Sequence, residues 1–191
     1  MPTDRDLILL AETRTARLLL GTKWRSIETS SGQLKHELRR FPGAWSAPSL
    51  LIHTDRGEDV LIYAEVNECQ GQEKFGLRFV DAADGWARQH IKTARPPFAP
   101  ILTWPANLEL PAELVDTGPS SGELGLGTPV QQVKSGMSGK TNPLYWVHFH
   151  VEDRAFLIFI DDENPMNIGI AGGTACEELL NSIQISSVAM L

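Results

Sequence analysis

The hydrophobic residues of the first half fall mostly into short segments separated by turn residues. Residues 49–54 and 60–66 are rich in Val, Ile, Leu and Tyr, and they flank Asp55-Arg56-Gly57-Glu58, a sequence typical of a turn. This arrangement predicts a β-hairpin. Residues 75–80 alternate between apolar and other side chains and predict a third strand.

The second half contains a segment that is apolar at every position. Residues 155–160 read Ala-Phe-Leu-Ile-Phe-Ile, and a strand without polar positions is covered on both of its faces. We therefore expect a central strand here, paired antiparallel with residues 144–151 as a second hairpin. Residues 167–171 predict a further short strand.

Helical spacing of hydrophobic residues predicts helices around these strands. They are expected in five places: after Thr3 up to Gly21, from Ser31 to Pro42, over residues 83–91, after Pro129, and from Thr174. Trp86 and His90 would lie one turn apart on the third of these. Thr174-Ala175-Cys176-Glu177 has the pattern of a capping box, which opens a helix.

The pattern as a whole predicts an α+β fold, with a mainly antiparallel sheet built on two hairpins and helices packed on it. Residues 95–129 contain seven prolines, and proline removes a backbone donor and fixes φ, so neither a long helix nor a central strand fits there. We therefore divide one compact domain into an N-terminal half (1–95), a connection (96–128) and an acidic C-terminal half (129–191).

The two halves have the same predicted order of helix, hairpin, strand and helix. Residues 48–53, Pro-Ser-Leu-Leu-Ile-His, also resemble residues 143–148, Pro-Leu-Tyr-Trp-Val-His. Apolar hairpins resemble one another in any case. An internal duplication is therefore a hypothesis that the sequence leaves open.

Charge is distributed unevenly between these halves. Residues 1–95 hold 14 Lys and Arg against 13 Asp and Glu, whereas residues 96–191 hold 3 against 11, which gives +1 and −8 and sums to the net charge of −7. No Lys or Arg follows Arg154. An acidic half favours a basic protein partner over a nucleic acid or an anionic membrane. A simpler explanation is that acidic surface keeps a small domain soluble.

Cysteine content and hydropathy indicate the cellular compartment. No run approaches the length of about 18 apolar residues that a membrane helix needs, and the early apolar residues follow Asp4-Arg5-Asp6 rather than a basic segment. We therefore expect a cytoplasmic protein. Cys69 and Cys176 are expected to be free thiols in that compartment.

His148 and His150 are the residues with the clearest potential for metal chemistry. On a strand they share one face. If the turn is centred on Asp153-Arg154, His148 lies opposite Phe159 and Trp146 lies opposite Asp161, which puts Asp161 diagonal to His148. Two imidazoles and a carboxylate suit zinc or non-haem iron. The competing interpretation, which we adopt, is that both histidines are structural.

Asp161, Asp162 and Glu163 directly follow the expected central strand. Carboxylates in this arrangement could perform acid–base chemistry or bind Ca²⁺ or Mg²⁺, but the segment lacks the EF-hand order of residues. We interpret it as an exposed acidic patch on a rigid scaffold.

Other motifs do not match a known chemistry. Ser135-Gly136-Met137-Ser138-Gly139-Lys140-Thr141 has the end of a P-loop, but Lys134 replaces the required glycine and Asn142-Pro143 follows where a helix is needed. We expect a surface loop there. Cys176 lies near a predicted helix N-terminus, yet Glu177 and Glu178 oppose thiolate formation, so a buried structural cysteine is expected.

The sequence thus favours a non-catalytic binding protein whose acidic C-terminal half engages a basic protein partner through Asp161, Asp162 and Glu163. The profile allows roles such as an inhibitor of a basic toxin or a secretion chaperone, and nothing in the sequence selects between them. The alternatives are a metal-dependent enzyme using His148, His150 and Asp161, and a small-ligand site lined by Trp104, Tyr145 and Trp146. No cofactor is expected, and a homo-oligomer is left open.

Overall fold

The computed structural model describes residues 19, 21–30, 36–38, 41–69, 72–103, 132–138, 146–151, 154–160, 164, 166–182 and 185–190. The strands are β1 (Trp24–Thr29), β2 (His36–Leu38), β3 (Phe41–Ala47), β4 (Ser49–Thr54), β5 (Val60–Cys69), β6 (Gln72–Asp81), β7 (Ala99–Thr103), β8 (Gln132–Ser138), β9 (Trp146–Val151), β10 (Arg154–Ile160), β11 (Ile168–Gly172) and β12 (Ile185–Met190). The helices are α1 (Gly85–Thr93) and α2 (Gly173–Ser182).

The described strands form two antiparallel sheets. One has five strands in the order β6-β5-β4-β1-β7, and the other has seven in the order β12-β8-β9-β10-β11-β3-β2. The predicted α+β class with antiparallel sheet is confirmed. The expectation of one sheet is wrong, because the hairpin β4–β5 lies in the five-stranded sheet and the hairpin β9–β10 lies in the seven-stranded sheet. The seven-stranded sheet also includes two strands of the first half, since β3 pairs with β11 and β2 pairs with β3.

The apolar segment of the second half is a central strand, as predicted. β10 is the middle strand of the seven-stranded sheet and pairs antiparallel with β9 on one side and β11 on the other. Leu157, Ile158, Phe159 and Ile160 are all buried. A strand covered on both faces has no solvent side for polar residues, which explains the unbroken apolar run.

The two sheets face each other across the main core. The ring of Trp24 on β1 meets the ring of Phe149 on β9 edge to face, with centroids 5.2 Å apart, an arrangement that aromatic pairs favour. β10 also contacts β6 across the same interface. Ile27, Ile52 and Ile62 of the five-stranded sheet are completely buried.

A helix covers the outer face of each sheet. Ala87 of α1 packs with Leu51 and Leu61 of the five-stranded sheet. Cys176 and Leu179 of α2 pack on the seven-stranded sheet, in a cluster with Ala44, Leu157, Phe159 and Ala171. The layers are therefore helix, sheet, sheet, helix, and neither helix is long and apolar enough to cross a membrane.

Three predicted elements of secondary structure are wrong. Residues 31–42 were expected to be helical, but His36–Leu38 and Phe41–Ala47 are strands β2 and β3. A helix after Pro129 and a surface loop over residues 135–141 were expected, but β8 runs through Gln132–Ser138. In both regions, pairing with strands distant in sequence decides the conformation, which local spacing does not report.

The first helix expected from the sequence lies outside the described residues apart from Leu19. The stretch from Trp24 to Ile27, where no element is predicted, belongs to β1 inside the five-stranded sheet. β7 occupies part of the proline-rich connection. It is the last strand in the described order of its sheet, the position at which a proline such as Pro100 is tolerated.

The two sheets share one connectivity. In the five-stranded sheet the order is β7-β1-β4-β5-β6, and α1 lies between β6 and β7 in sequence. In the seven-stranded sheet the corresponding order is β12-β8-β9-β10-β11, and α2 lies between β11 and β12. The hairpins β4–β5 and β9–β10 occupy the same place in this scheme.

Candidate functional site

A histidine held between two carboxylates lies at the end of the first hairpin. The Nδ1 atom of His53 is 2.7 Å from Oδ2 of Asp59, and its Nε2 atom is 3.3 Å from Oε1 of Glu28. The three side chains are between a fifth and a third exposed. β4 supplies His53, the residue before β5 supplies Asp59, and the neighbouring β1 supplies Glu28.

Hydrogen bonds from the backbone and from side chains fix this end of the hairpin. The Thr54 amide donates to Oδ1 of Asp59 (3.1 Å), and the Thr54 hydroxyl donates to the Glu58 carbonyl (3.2 Å). The Lys23 amide donates to Oδ1 of Asp55 at 2.9 Å. Because the carboxylates of Asp55 and Asp59 both accept hydrogen bonds from backbone amides, the position of Asp59 beside His53 is well defined.

The carboxylates keep His53 protonated at neutral pH. The contact with Glu28 has the largest effect on its pKa, burial acts in the opposite direction, and Asp59 raises it further, so the pKa rises from 6.5 to about 9. An imidazolium has no lone pair to accept a proton or to bind a metal. This cluster therefore fits a structural ion network better than a catalytic base.

Four aromatic rings form a continuous patch on the outer side of the five-stranded sheet, which we call the α1 aromatic patch (Tyr63, Trp86, His90 and Phe98). Trp86 stacks on His90 with centroids 5.1 Å apart and planes at 15°. Its other neighbour is Tyr63 at 5.2 Å, and His90 meets Phe98 edge to face at 6.5 Å. The side chain of Trp86 is 50% exposed.

The patch is held in place by the cap of α1. The Asp84 carboxylate accepts hydrogen bonds from the amides of Trp86 (2.9 Å) and Ala87 (3.4 Å), which satisfies backbone donors that the helix cannot use internally. Ala87 is buried against the sheet. Trp86, its neighbour in sequence, is consequently fixed on a flank of the helix and exposed to solvent.

The second outer helix has an acidic outer side. Glu177 and Glu178 of α2 are exposed, and its last turn has no basic residue. The inward residue Cys176 is a completely buried free thiol, as predicted. Burial, with a smaller contribution from Glu177, raises its pKa to about 12, so the thiolate needed for nucleophilic chemistry does not form near neutral pH.

The predicted register around His148 is wrong. Leu157, not Phe159, pairs with His148, and Phe159, not Asp161, pairs with Trp146. Val151 pairs with Arg154, so the strands are offset by two residues from the register that a turn at Asp153-Arg154 would give. His148 and His150 still occupy alternate positions of β9, opposite Leu157 and Ala155, but the argument that placed Asp161 diagonal to His148 no longer holds.

The predicted acidic patch and two of the three residues of the predicted ligand site lie outside the part of the chain that the structure describes. Asp161, Asp162 and Glu163 lie outside the described residues, as do Trp104 and Tyr145, while Trp146 is the first residue of β9. In the described part of the chain, no group of three His, Cys, Asp or Glu residues is arranged to hold a metal ion. The alternatives at His148, His150 and Asp161 and at Trp104, Tyr145 and Trp146 stay predictions.

Sequence reasoning missed the cluster at His53. The hairpin turn between residues 54 and 59 could have indicated that His53 and Asp59 are close, because the two residues flank it. Glu28 comes from a strand 25 residues earlier in the chain, and only the pairing of β1 with β4 brings it there. In three comparisons, no model of a protein family, no curated protein and no solved structure matches the chain.

Proposed function

We propose that this protein is a non-catalytic binding protein whose acidic C-terminal half engages a basic protein partner. The observation that carries the proposal is the charge of α2: Glu177 and Glu178 are exposed while Cys176 and Leu179 anchor the helix in the core. No Lys or Arg follows Arg154 to neutralise these acids locally. A rigid surface of one sign attracts a partner of the opposite sign and steers its approach.

Asp161, Asp162 and Glu163 form the second part of the proposal. They directly follow Ile160, the buried last residue of the central strand β10. Three carboxylates attached to a fixed strand lose less conformational freedom on binding than carboxylates on a free tail. We propose them as the centre of the partner-binding surface.

The protonation states of His53 and Cys176 support binding over catalysis. The His53 imidazole is held protonated by Glu28 and Asp59, and the Cys176 thiol is buried with a raised pKa. The pKa values of catalytic acids, bases and nucleophiles usually lie near neutral pH. The pKa values of His53 and Cys176 are both shifted away from neutral pH. Toxin inhibitors and secretion chaperones are classes of protein that work through such surfaces without catalysis.

We infer in addition that the two halves repeat one structural unit of strand, hairpin, strand, helix and strand. The shared strand order supports this, and so does the resemblance of residues 48–53 to residues 143–148, because residues 49–53 lie on β4 and residues 146–148 lie on β9. Sequence profiles of homologues, built separately for residues 21–103 and 132–190, should align β4 with β9. Profiles that align in another register, or not at all, would contradict the duplication.

The binding proposal is tested by capture of partners from the native lysate at low and high salt. The variant Asp161→Lys/Glu163→Lys should lose a partner that the parent captures, and Glu178→Lys should weaken its capture. Glu58→Lys is the matched control, because Glu58 is an exposed acid on the first hairpin. Rising salt should weaken capture, since exposed charges are screened over about 8–10 Å near physiological ionic strength.

The outcome that contradicts the proposal is specific. If the folded Asp161→Lys/Glu163→Lys variant and Glu178→Lys retain every partner of the parent, the acidic half has no target and its charge serves solubility. Equal losses in these variants and in Glu58→Lys would show a dependence on net charge rather than on this surface.

A further inference from the structure

We propose that the α1 aromatic patch is a second docking surface, which binds an acidic peptide segment of a partner protein with Trp86 as its anchor. The patch lies on the outer side of the five-stranded sheet, whereas the acidic helix α2 lies on the outer side of the other sheet. It is therefore separate from the surface of the proposed function, and either one can fail without the other.

The first argument is the exposure of Trp86. Among the described residues, Trp86 and Met166 are the large hydrophobic side chains that are exposed, at 50% and 55%. Trp86 is also held in place, since its ring stacks on His90 and contacts the tilted ring of Tyr63, and since it follows the helix cap at Asp84. Tryptophan and tyrosine supply large contact areas at a small entropic cost, and they dominate the energetics of protein interfaces.

The second argument is the charge around the patch. Arg88, Lys92 and Arg95 are exposed, and residues 85–95 include no acid. The two nearest acids of the sequence bond to backbone amides: Asp84 caps the helix, and Oδ1 of Asp81 accepts from the amide of Ala83. α1 therefore complements an acidic segment, in contrast to α2, whose outer side is acidic.

The geometry of α1 specifies how such a segment would lie. Successive residues of a helix are separated by about 100°. With Ala87 facing the sheet, Trp86 and His90 fall on one flank of α1, and Arg88 and Lys92 fall on the other. A segment that contacts both flanks must cross the helix. A helix is about 10 Å wide and an extended chain advances about 3.3 Å per residue, so an apolar anchor and an acid about three residues apart would reach both.

The proposal is tested with a phage-displayed library of random dodecapeptides, selected on the full-length protein. Selected peptides should carry an apolar or aromatic anchor with Asp or Glu about three residues away. Their affinity, measured by fluorescence anisotropy, should fall about tenfold or more in Trp86→Ala, as for an interface hot spot. Met166→Ala removes the other large hydrophobic side chain that is exposed in the described part of the chain and should leave affinity unchanged.

The charge component is tested with a second pair of variants. Arg88→Glu/Lys92→Glu should weaken the selected peptides by about fivefold, which is the scale of exposed ion pairs. Lys23→Glu/Arg25→Glu makes the same change of charge at exposed positions of another region and should have little effect. Circular dichroism melts of each variant establish that it is folded, and Trp86→Phe, which keeps an aromatic ring, should retain part of the affinity.

Three results would overturn the proposal. The first is a selection that yields no peptides preferring the parent over folded Trp86→Ala. The second is a set of selected peptides that bind Arg88→Glu/Lys92→Glu as tightly as the parent. The third is a self-association of the parent, seen by analytical ultracentrifugation and abolished by Trp86→Ala, which would show that a second copy of the chain occupies the patch.

Discussion

The ring of Phe159 on β10 fills the space next to Gly169 on β11. The two residues are direct cross-strand partners in the seven-stranded sheet. A Cβ atom on Gly169 would lie less than 3.0 Å from three carbons of this ring. Phe159 also belongs to the cluster formed with Cys176 and Leu179 of α2. Glycine at this position is thus required by packing, whereas the backbone there is ordinary strand.

Gly169→Ala should therefore destabilise the protein. The Phe159 ring is buried and cannot move without disturbing α2, so we expect a loss of about 1–3 kcal/mol in the free energy of unfolding, the usual effect of overpacking. Gly85→Ala is the matched control, because no atom lies within 4 Å of its Cβ position. Urea unfolding measures both variants, and equal stabilities would contradict the contact.

Phe159→Ala should have a larger effect. Phe159 is 3% exposed in the middle strand of its sheet, and truncation of a buried phenylalanine costs about 3–5 kcal/mol. In the Phe159→Ala background, Gly169→Ala should be tolerated, because the new methyl group enters the space left by the ring. Additive effects of the two substitutions, measured in a double-mutant cycle, would show that the residues are not coupled.

The His53 cluster predicts a loss of stability at alkaline pH. The folded pKa of about 9 lies above the ordinary value of 6.5, so the contribution of the imidazolium is complete below pH 6.5 and disappears as the pH rises through 9. Because the side chains are partly exposed, we expect a contribution of about 1–2 kcal/mol. Urea unfolding between pH 6 and 10 measures it.

A comparison of variants isolates His53 from other groups that titrate at high pH. His53→Gln should be less stable than the parent at pH 6, and this difference should shrink by pH 10. A difference between His53→Gln and the parent that is constant from pH 6 to 10 would refute the ion network.

Cys176 should be inert towards thiol reagents in the folded protein. Its thiol is completely buried and has a pKa of about 12. Reagents therefore cannot reach the sulfur, and the reactive thiolate does not form near neutral pH. In a Cys69→Ser background, modification should occur at the rate of unfolding and become fast in denaturant. Rapid stoichiometric modification at neutral pH without denaturant would contradict the placement of α2.

The purified protein is expected to contain no stoichiometric transition metal at His148 and His150. Our interpretation is that both are structural, and the register of β9 removes the argument that brought Asp161 near them. Elemental analysis of protein prepared without chelators provides the measurement. One equivalent of zinc or iron that is lost in His148→Ala would instead support the metal-dependent enzyme.

Local sequence pattern was sufficient to predict the conformation of segments whose neighbours in sequence are also their neighbours in space. Turn residues 55–58 and the apolar runs on either side indicated β4 and β5. Six consecutive apolar residues indicated the central strand β10. In such segments the periodicity of side chains and the chemistry of the turn report the conformation directly.

Tertiary structure alone decided the features that depend on distant pairing. Residues 31–42 have apolar spacing that also fits a helix, but β3 is a strand because it pairs with β11, and β2 pairs in turn with β3. Glu28 reaches His53 for a similar reason, through the pairing of β1 with β4. Strand pairing satisfies backbone hydrogen bonds between segments far apart in sequence, so local spacing does not encode the partner. Sequence determined which segments are apolar and how charge is divided, and packing determined which of them meet.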